Sequence, residues 1–308
     1  MPGYVKVGPI KVRPIGFESL GVRSMATLIE TPDVKVLVDP GVSLAPKRYG
    51  LPPAEQEWEA LEKVRREITS AADKADVITI SHYHYDHHTP FSERKYDACT
   101  PDDAIAVYDG KTILMKHPEE NINKSQAGRA ASLLKGLEDL DVDIEYADDR
   151  TFRFGDTVLE FSPPFPHGPE GTRLGYVLCL AVKHGDDTVV HASDVQGPVE
   201  KEALEWILDR SPRLVLISGP PLYLLGFRFP KAALESAVEN MIEMAKNVET
   251  LLLDHHVVRQ KGYREKLREV YEAGNVVSAA DVLGTEETPL EAYRRELHEG
   301  EEAPWRRS

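Results

Sequence analysis

The chain has 308 residues, 41% of them hydrophobic, and a formal net charge of −15, which suits one large core or two small ones. That acidity disfavours binding along nucleic acid, which needs basic stripes that release counterions, and no extended basic groove is evident. The longest apolar stretch, Leu174 to Val182, is far too short to span a bilayer. No charged segment followed by an apolar one opens the chain, so no signal peptide is expected and the compartment reads as cytoplasmic. Cys99 and Cys179 read as small core residues rather than a disulfide. The 29% of charged residues, rich in Glu and Arg, is compatible with a heat-adapted source.

In chain order, β-rich runs are expected at about 10–17, 24–30 and 34–39, the last ending in Asp39-Pro40-Gly41. A helix follows Pro52-Pro53 and runs to about Ser70. In it, Trp58, Leu61, Val64, Arg65 and Ile68 recur at spacings of three and four, a mostly apolar stripe. A strand at 76–80, a histidine-rich loop, a strand at 112–116 and a helix near 125–138 complete a first pass. The second opens with strands near 142–146, 151–154 and 157–162, the latter two turning at Gly155-Asp156. Strands 174–183 and 187–192 are joined by His184-Gly185-Asp186, another hairpin signal. Helix 199–210, strand 213–218, helix 230–246, strand 249–254 and helix 260–273 follow. Hairpins early in each half and βα units later predict two sheets with helices on their outer faces. The Glu- and Arg-rich tail from about 285 is expected to be a frayed surface helix.

The most informative segment is His82-Tyr83-His84-Tyr85-Asp86-His87-His88, directly after the apolar run Val77-Ile78-Thr79-Ile80. A lone histidine is ordinarily structural, but four of the chain's 11 histidines fall here. Imidazole and carboxylate suit Zn²⁺ and other first-row divalent ions. His82 and His84, two apart in extended chain, can point to one ion while Asp86 and His87 turn toward a neighbour. Contiguous residues cannot close two sites, and further candidates stand at other strand ends. His167 lies in Pro163-Pro164-Phe165-Pro166-His167-Gly168-Pro169, Asp194 follows the run 188–192, His255-His256 follow Leu251–Asp254, and Asp39 follows Val36–Val38. In isolation His167 reads equally well as a turn residue, and Asp194 better as a cap.

This order of residues resembles the five motifs of the metallo-β-lactamase superfamily along nearly the whole chain. The continuation Asp86-His87-His88-Thr89-Pro90 and the segment Gly219-Pro220-Pro221 look like an archaeal branch of predicted hydrolases within it. The resemblance implies an α/β (α+β) fold, a four-layer αββα sandwich. It implies a single domain of two pseudo-equivalent halves, about 1–140 and 141–285, with a C-terminal surface tail. It implies two divalent ions, zinc foremost with manganese or iron as alternatives, at one edge between the sheets. By motif position His82, His84 and His167 would hold the first ion. Asp86, His87 and a later histidine would hold the second, with Asp194 bridging. The family's apolar-x-His strand end favours His255 over His256. Asp39 would orient a ligand or loop, and His88 reads as a hydrogen-bonding neighbour or an acid.

Such ions can lower the pKa of a shared water, with Asp86 and Asp194 as catalytic proton acceptors or relays. The expected activity is metal-dependent hydrolysis of an ester-like, lactone, thioester or amide bond; a phosphodiesterase or nuclease is the alternative, and a silent metal-binding module a third reading. The 61 residues from Asp194 to His255 leave no room for the inserted domain of the RNA-processing branch. The missing export signal argues against true β-lactamases, and His84 and the chain length argue against flavin-bearing diiron oxidoreductases. Lys116-His117 and Asn123-Lys124-Ser125-Gln126, with Arg129, gather cations and amides that could hold a phosphate or carboxylate of a small-molecule or phosphodiester substrate. Plain solvated helix charge is the competing reading of Lys124 and Arg129. The loop Gly219-Pro220-Pro221-Leu222-Tyr223 is expected to be rigid and to line the pocket or merely to turn the chain. His117, His184 and His191 are given no role, and the oligomeric state is unreadable.

Overall fold

The computed structural model describes residues 3–307; Met1 and Pro2, the start of the segment read for a leader, lie outside them. Sheet one begins with β1 (Val5–Val7), β2 (Ile10–Pro14), β3 (Thr27–Glu30) and β4 (Lys35–Val38), a run of antiparallel neighbours. The long helix α1 (Glu55–Ala72) then crosses over to β5 (Val77–Ile80), which pairs parallel to β4. Next come α2 (Pro101–Tyr108), β6 (Thr112–Met115), α3 (Lys124–Leu137) and β7 (Asp143–Tyr146), again parallel, so sheet one reads in sequence order.

Sheet two repeats the plan. β8 (Thr151–Phe154) and β9 (Thr157–Phe161) form a hairpin around Gly155, whose φ of +57° glycine adopts without steric cost. β10 (Phe165–Pro166) and β11 (Tyr176–Val177) make a small separate ribbon. β12 (Leu180–His184) and β13 (Asp187–His191) continue the antiparallel part. After α4 (Lys201–Leu208), β14 (Leu214–Ile217), α5 (Lys231–Asn247) and β15 (Thr250–Leu253), the sheet is parallel. The chain closes with α6 (Tyr263–Lys266), α7 (Arg268–Ala273), β16 (Val276–Val277), α8 (Ala279–Leu283) and α9 (Arg294–His298). Sheet two has the order β16-β15-β14-β13-β12-β9-β8.

Three apolar layers make this an αββα sandwich. Ile10, Val12, Ile29 and Val36 meet Leu159, Leu180, Val189 and Leu216 between the sheets. Leu61, Val64 and Ile68 of α1 cover the outer face of sheet one at Leu37, Ile78 and Ile113. Ala237, Met241 and Met244 of α5 cover sheet two at Val215, Ile217 and Leu251. The parallel strands β5 and β14 are buried along their whole length, and β15 from Leu251 onward, as strands sandwiched on both faces must be. Their apolar runs therefore show no alternation in the sequence. Cys99 and Cys179 are buried free thiols. Among the described residues no helix is long and apolar enough to cross a membrane.

Several expectations need correction. α2 was not anticipated, although Thr100 caps it, Pro101 opens it and Asp103 closes a capping box. The expected strand 174–183 is two strands, because Tyr176–Val177 pairs with the ribbon partner Phe165–Pro166 while Leu180–His184 pairs with β9 and β13. The expected helix 260–273 breaks at Leu267 into α6 and α7. β7 belongs to sheet one, so the sheets divide after it rather than near residue 140. The tail is not a frayed surface helix. Its Arg294 is fully buried and grips Glu57 of α1 through two bonds of 2.7 Å, while Leu290 and Leu297 pack on Ala54.

Candidate metal centre

Each parallel strand delivers its polar residues at its C-terminal end, where open α/β sheets characteristically hold ligands. Asp39 follows β4, Ser81 and His82 follow β5, Ser193 and Asp194 lie just past β13, and Asp254 and His255 follow β15. The two sheets present these ends along one edge. His167 arrives from the β10–β11 ribbon, its N–H donating to the Gly175 carbonyl at 2.9 Å. The loop after β4 then lies against the histidine loop so closely that a Cβ at Gly41 would sit 2.2 Å from the His88 nitrogen. No larger residue fits there without displacing the histidine loop.

Asp194 occupies the middle of the cluster. Its Oδ2 lies 2.9 Å from His167 Nε2, 3.3 Å from His87 Nε2, 3.8 Å from His82 Nε2 and 3.7 Å from His256 Nε2. Its Oδ1 lies 3.2 Å from His255 Nε2. Nε2 of His82 and Nδ1 of His84 converge to 3.0 Å. Two groupings share this carboxylate region: His82, His84, His167 and Asp194 have ligand atoms within 4.8 Å of one another, as do Asp86, His87 and His255. Ligand atoms on one tetrahedral ion stand about 3.4 Å apart, so both groups are of a size to close on a cation.

The donor chemistry fits as well. His87 Nε2, His167 Nε2 and Asp194 Oδ1 are buried without a hydrogen bond. Buried polar atoms are rarely left so, and these three face one another. Burial and the neighbouring imidazoles push His84 down to about 3 and lower His82, leaving both as neutral donors. Burial opposes ionisation of Asp194, but the surrounding imidazoles His255, His256 and His87 hold its carboxyl well below the ordinary range. Burial likewise opposes ionisation of Asp86, which His87 and His255 outweigh. His82 and His84 are thus neutral and Asp86 and Asp194 ionised, the forms that bind divalent ions. Burial opposes a charge on His87 and His255, but Asp194 beside both raises them, His255 to about 9, so a cation bound there would displace a proton from each.

A surrounding layer orients these donors. Asp39 is buried with φ +48°. Its Oδ2 accepts from His87 Nδ1 at 2.8 Å and from the Ser81 hydroxyl at 2.6 Å, and its Oδ1 from the Ser81 N–H at 2.8 Å. This turns Nε2 of His87 inward. His88 Nδ1 donates to the His84 carbonyl at 2.9 Å and braces the loop from outside. Gln126 of α3 accepts from the Tyr83 N–H at 3.0 Å and donates to the Leu174 carbonyl at 2.5 Å, tying the histidine loop to the arm that carries His167. The Gln196 amide lies 3.2 Å from His167 Nδ1. Glu18 Oε2 accepts from His255 Nδ1 at 2.8 Å, and its Oε1 takes the Arg259 guanidinium at 2.6 Å.

Glu18, Ser81, Gln196 and Arg259 were missed from sequence, and Gln126 was read there only as one of a group that could hold a substrate anion; each is an ordinary polar residue with no local signal of its place at the centre. Of the two adjacent histidines, His255 groups with Asp86 and His87, whereas His256 groups only with Asp194 and His255. The residues expected to bind substrate fare differently. Lys116 is unavailable: its buried ammonium pairs with Asp148 at 3.0 Å and donates to the Glu120 carbonyl at 2.8 Å. Lys124 stands exposed on the first turn of α3. The Tyr223 hydroxyl accepts from Arg259 at 3.2 Å, at the border of the centre. His191 donates to the Met25 carbonyl at 3.0 Å in the core between the sheets.

No family model matches the chain. Among solved structures, it aligns with unliganded yeast PDE1 at a TM-score of 0.48 and 11% identity, over 89% of this chain and 97% of that one. It aligns with a metal-dependent hydrolase of the β-lactamase superfamily at 0.46 and 14%, over 87% and 95%. The fold assignment rests on the sheet orders and layers above rather than on these alignments. Sequence relatives are much nearer. A UPF0282 protein of Thermococcus gammatolerans is 48% identical over 95% of this chain and 96% of its own length. One of Methanopyrus kandleri is 67% identical over 95% of this chain and the whole of its own. With that identity sustained from end to end, the chain belongs to the UPF0282 family.

Proposed function

We propose that this protein is a metal-dependent hydrolase with a two-ion centre, zinc being the ion best suited to the donors. His82, His84 and His167 would hold one ion and Asp86, His87 and His255 the other, with Asp194 placed beside both groups. The observation that carries this reading is Asp194 itself, a buried carboxylate with imidazole nitrogens on both oxygens and no hydrogen bond to Oδ1. Ions bound there would supply Lewis acidity and a water of lowered pKa. Asp194 is sealed among histidines, whereas the Asp86 side chain keeps 16% of its surface exposed. Asp86 is therefore the carboxylate past which a proton leaving the centre would reach solvent.

The substrate is an ester-like, lactone, thioester or amide bond. A phosphodiester is the second reading, favoured by Tyr85, which stands between His84 and Asp86. Arg94 and Arg129 place their guanidinium carbons 3.8 and 4.4 Å from its ring centre, a cationic flank beside the loop that would suit an anionic ester. Replacing His84 or Asp194 by Ala should lower bound zinc and reduce turnover by at least ~10³-fold, assayed on lactone, thioester and phosphodiester panels. Unchanged metal stoichiometry in both variants would sink the assignment.

A further inference from the structure

The chain leaving His255 turns back upon it. His256 takes φ +71°, and the turn Val257–Arg259 brings the Arg259 guanidinium over the His255 ring. Its Nη2 lies 3.3 Å from His255 Nε2 and 3.8 Å from Asp86 Oδ2. These are two of the donors assigned above to the second ion. The guanidinium is buried and held in place, Nε by Glu18 Oε1 at 2.6 Å and Nη1 by the Tyr223 hydroxyl at 3.2 Å. Glu18 Oε2 binds Nδ1, the nitrogen of the His255 ring opposite the proposed ligand atom, while its Oε1 also pairs with Nη2 at 2.5 Å. The first group differs. Among the described residues, no lysine or arginine lies within ion-pair distance of Asp194.

Arginine stays protonated at every accessible pH. Nη2 lies over the ring face, 3.3 Å from Nε2 and 3.5 Å from Nδ1, so a cation bound to His255 Nε2 and Asp86 would place two positive centres side by side in a poorly screened interior. We infer that Arg259 competes with the second ion for this face, so that the centre takes one ion tightly and a second one weakly. The inference rests on the two-ion reading above and adds an order of filling to it. Arg259 is a positioning residue in this account; it acts through His255 and Asp86.

The test is a zinc titration of the full-length protein against a chromophoric chelator, with metal content measured after dialysis. Wild type should retain one zinc and bind the second at least tenfold more weakly. Because Arg259→Gln alone strands the buried Glu18 carboxylate, the companion variant is the double substitution Glu18→Gln with Arg259→Gln, which removes both charges. That variant should narrow the gap between the two affinities at least tenfold. Glu18→Gln alone leaves Arg259 without its counter-charge and should widen it. Two equal sites in wild type, or a gap unmoved in the double variant, would overturn the inference while leaving the two-ion centre intact. A protein that binds no zinc would overturn the centre and the inference together.

Discussion

Asp39 and Asp194 show how one residue type takes two roles according to its neighbours. Asp194 faces Nε2 of His87 and of His167, neither of which has a hydrogen-bond partner. Asp39 is saturated by Ser81 and His87, and Ser193 lies 3.2 Å away. Burial opposes its ionisation, but the bonds from His87 and Ser81 hold it below the usual carboxylate range. Its negative charge fixes the His87 proton on Nδ1 and so leaves Nε2 free to bind. Asp39→Asn keeps the shape and removes the charge. Zinc affinity should then fall about 10- to 100-fold, the usual cost of losing such an orienting partner, with circular dichroism unchanged. Unaltered affinity in a competition titration would show that His87 is held by packing alone.

At the scale of elements, the C-terminal segment is a clamp. The turn Leu290–Tyr293 sends Glu291 to Arg23, with two contacts of 2.6 Å, and α9 sends Arg294 to Glu57. Burial alone would raise the Glu291 carboxyl, but Arg23 beside it holds it down at about 2. The unfolded carboxyl titrates near 4.5, so the folded state binds fewer protons between these values. The pair therefore stabilises fully above pH 4.5 and loses its contribution as pH falls toward 2. The shift corresponds to about 3 kcal/mol. Glu291→Gln should be destabilised at pH 7, and its deficit should shrink by more than half at pH 3, as measured by urea melts. An equal deficit at both pH values would mean that shape rather than charge holds the clamp.

For the whole molecule, the centre joins loops from both sheets: Asp86 and His87 follow β5 of sheet one, Asp194 and His255 follow β13 and β15 of sheet two. An ion bound there crosslinks the halves and stabilises only the folded chain. At a free concentration a hundredfold above Kd this amounts to about 2.7 kcal/mol, or roughly 5 °C in Tm for a chain of this size. Chelation should lower Tm by about that much, and zinc should restore it. Coincident melting curves with and without chelator would argue that the centre contributes nothing to holding the sheets together.

The histidine loop, His167, Asp194 and His255 were legible in the linear chain because each is a strong donor placed just past an apolar run, and a buried strand must end before its polar residues can gather. The paired sheets followed from the same runs. Local chemistry also carried signals that were passed over, as the Thr100-Pro101 start of α2 shows. Other features have no local signature. Glu18 and Arg259 are 241 residues apart, and Arg294 reaches Glu57 across 237; such buried pairs exist only once the layers have closed. Lys116 reads as a free cation until its partner Asp148 is brought beside it. Sequence by itself determined the inventory of candidate ligands and the elements that carry it, since both depend on residue type and short-range pattern. Only the tertiary structure decided how those ligands group, which histidine faces Asp86, and which cation faces His255, because these depend on distances between residues the chain keeps far apart.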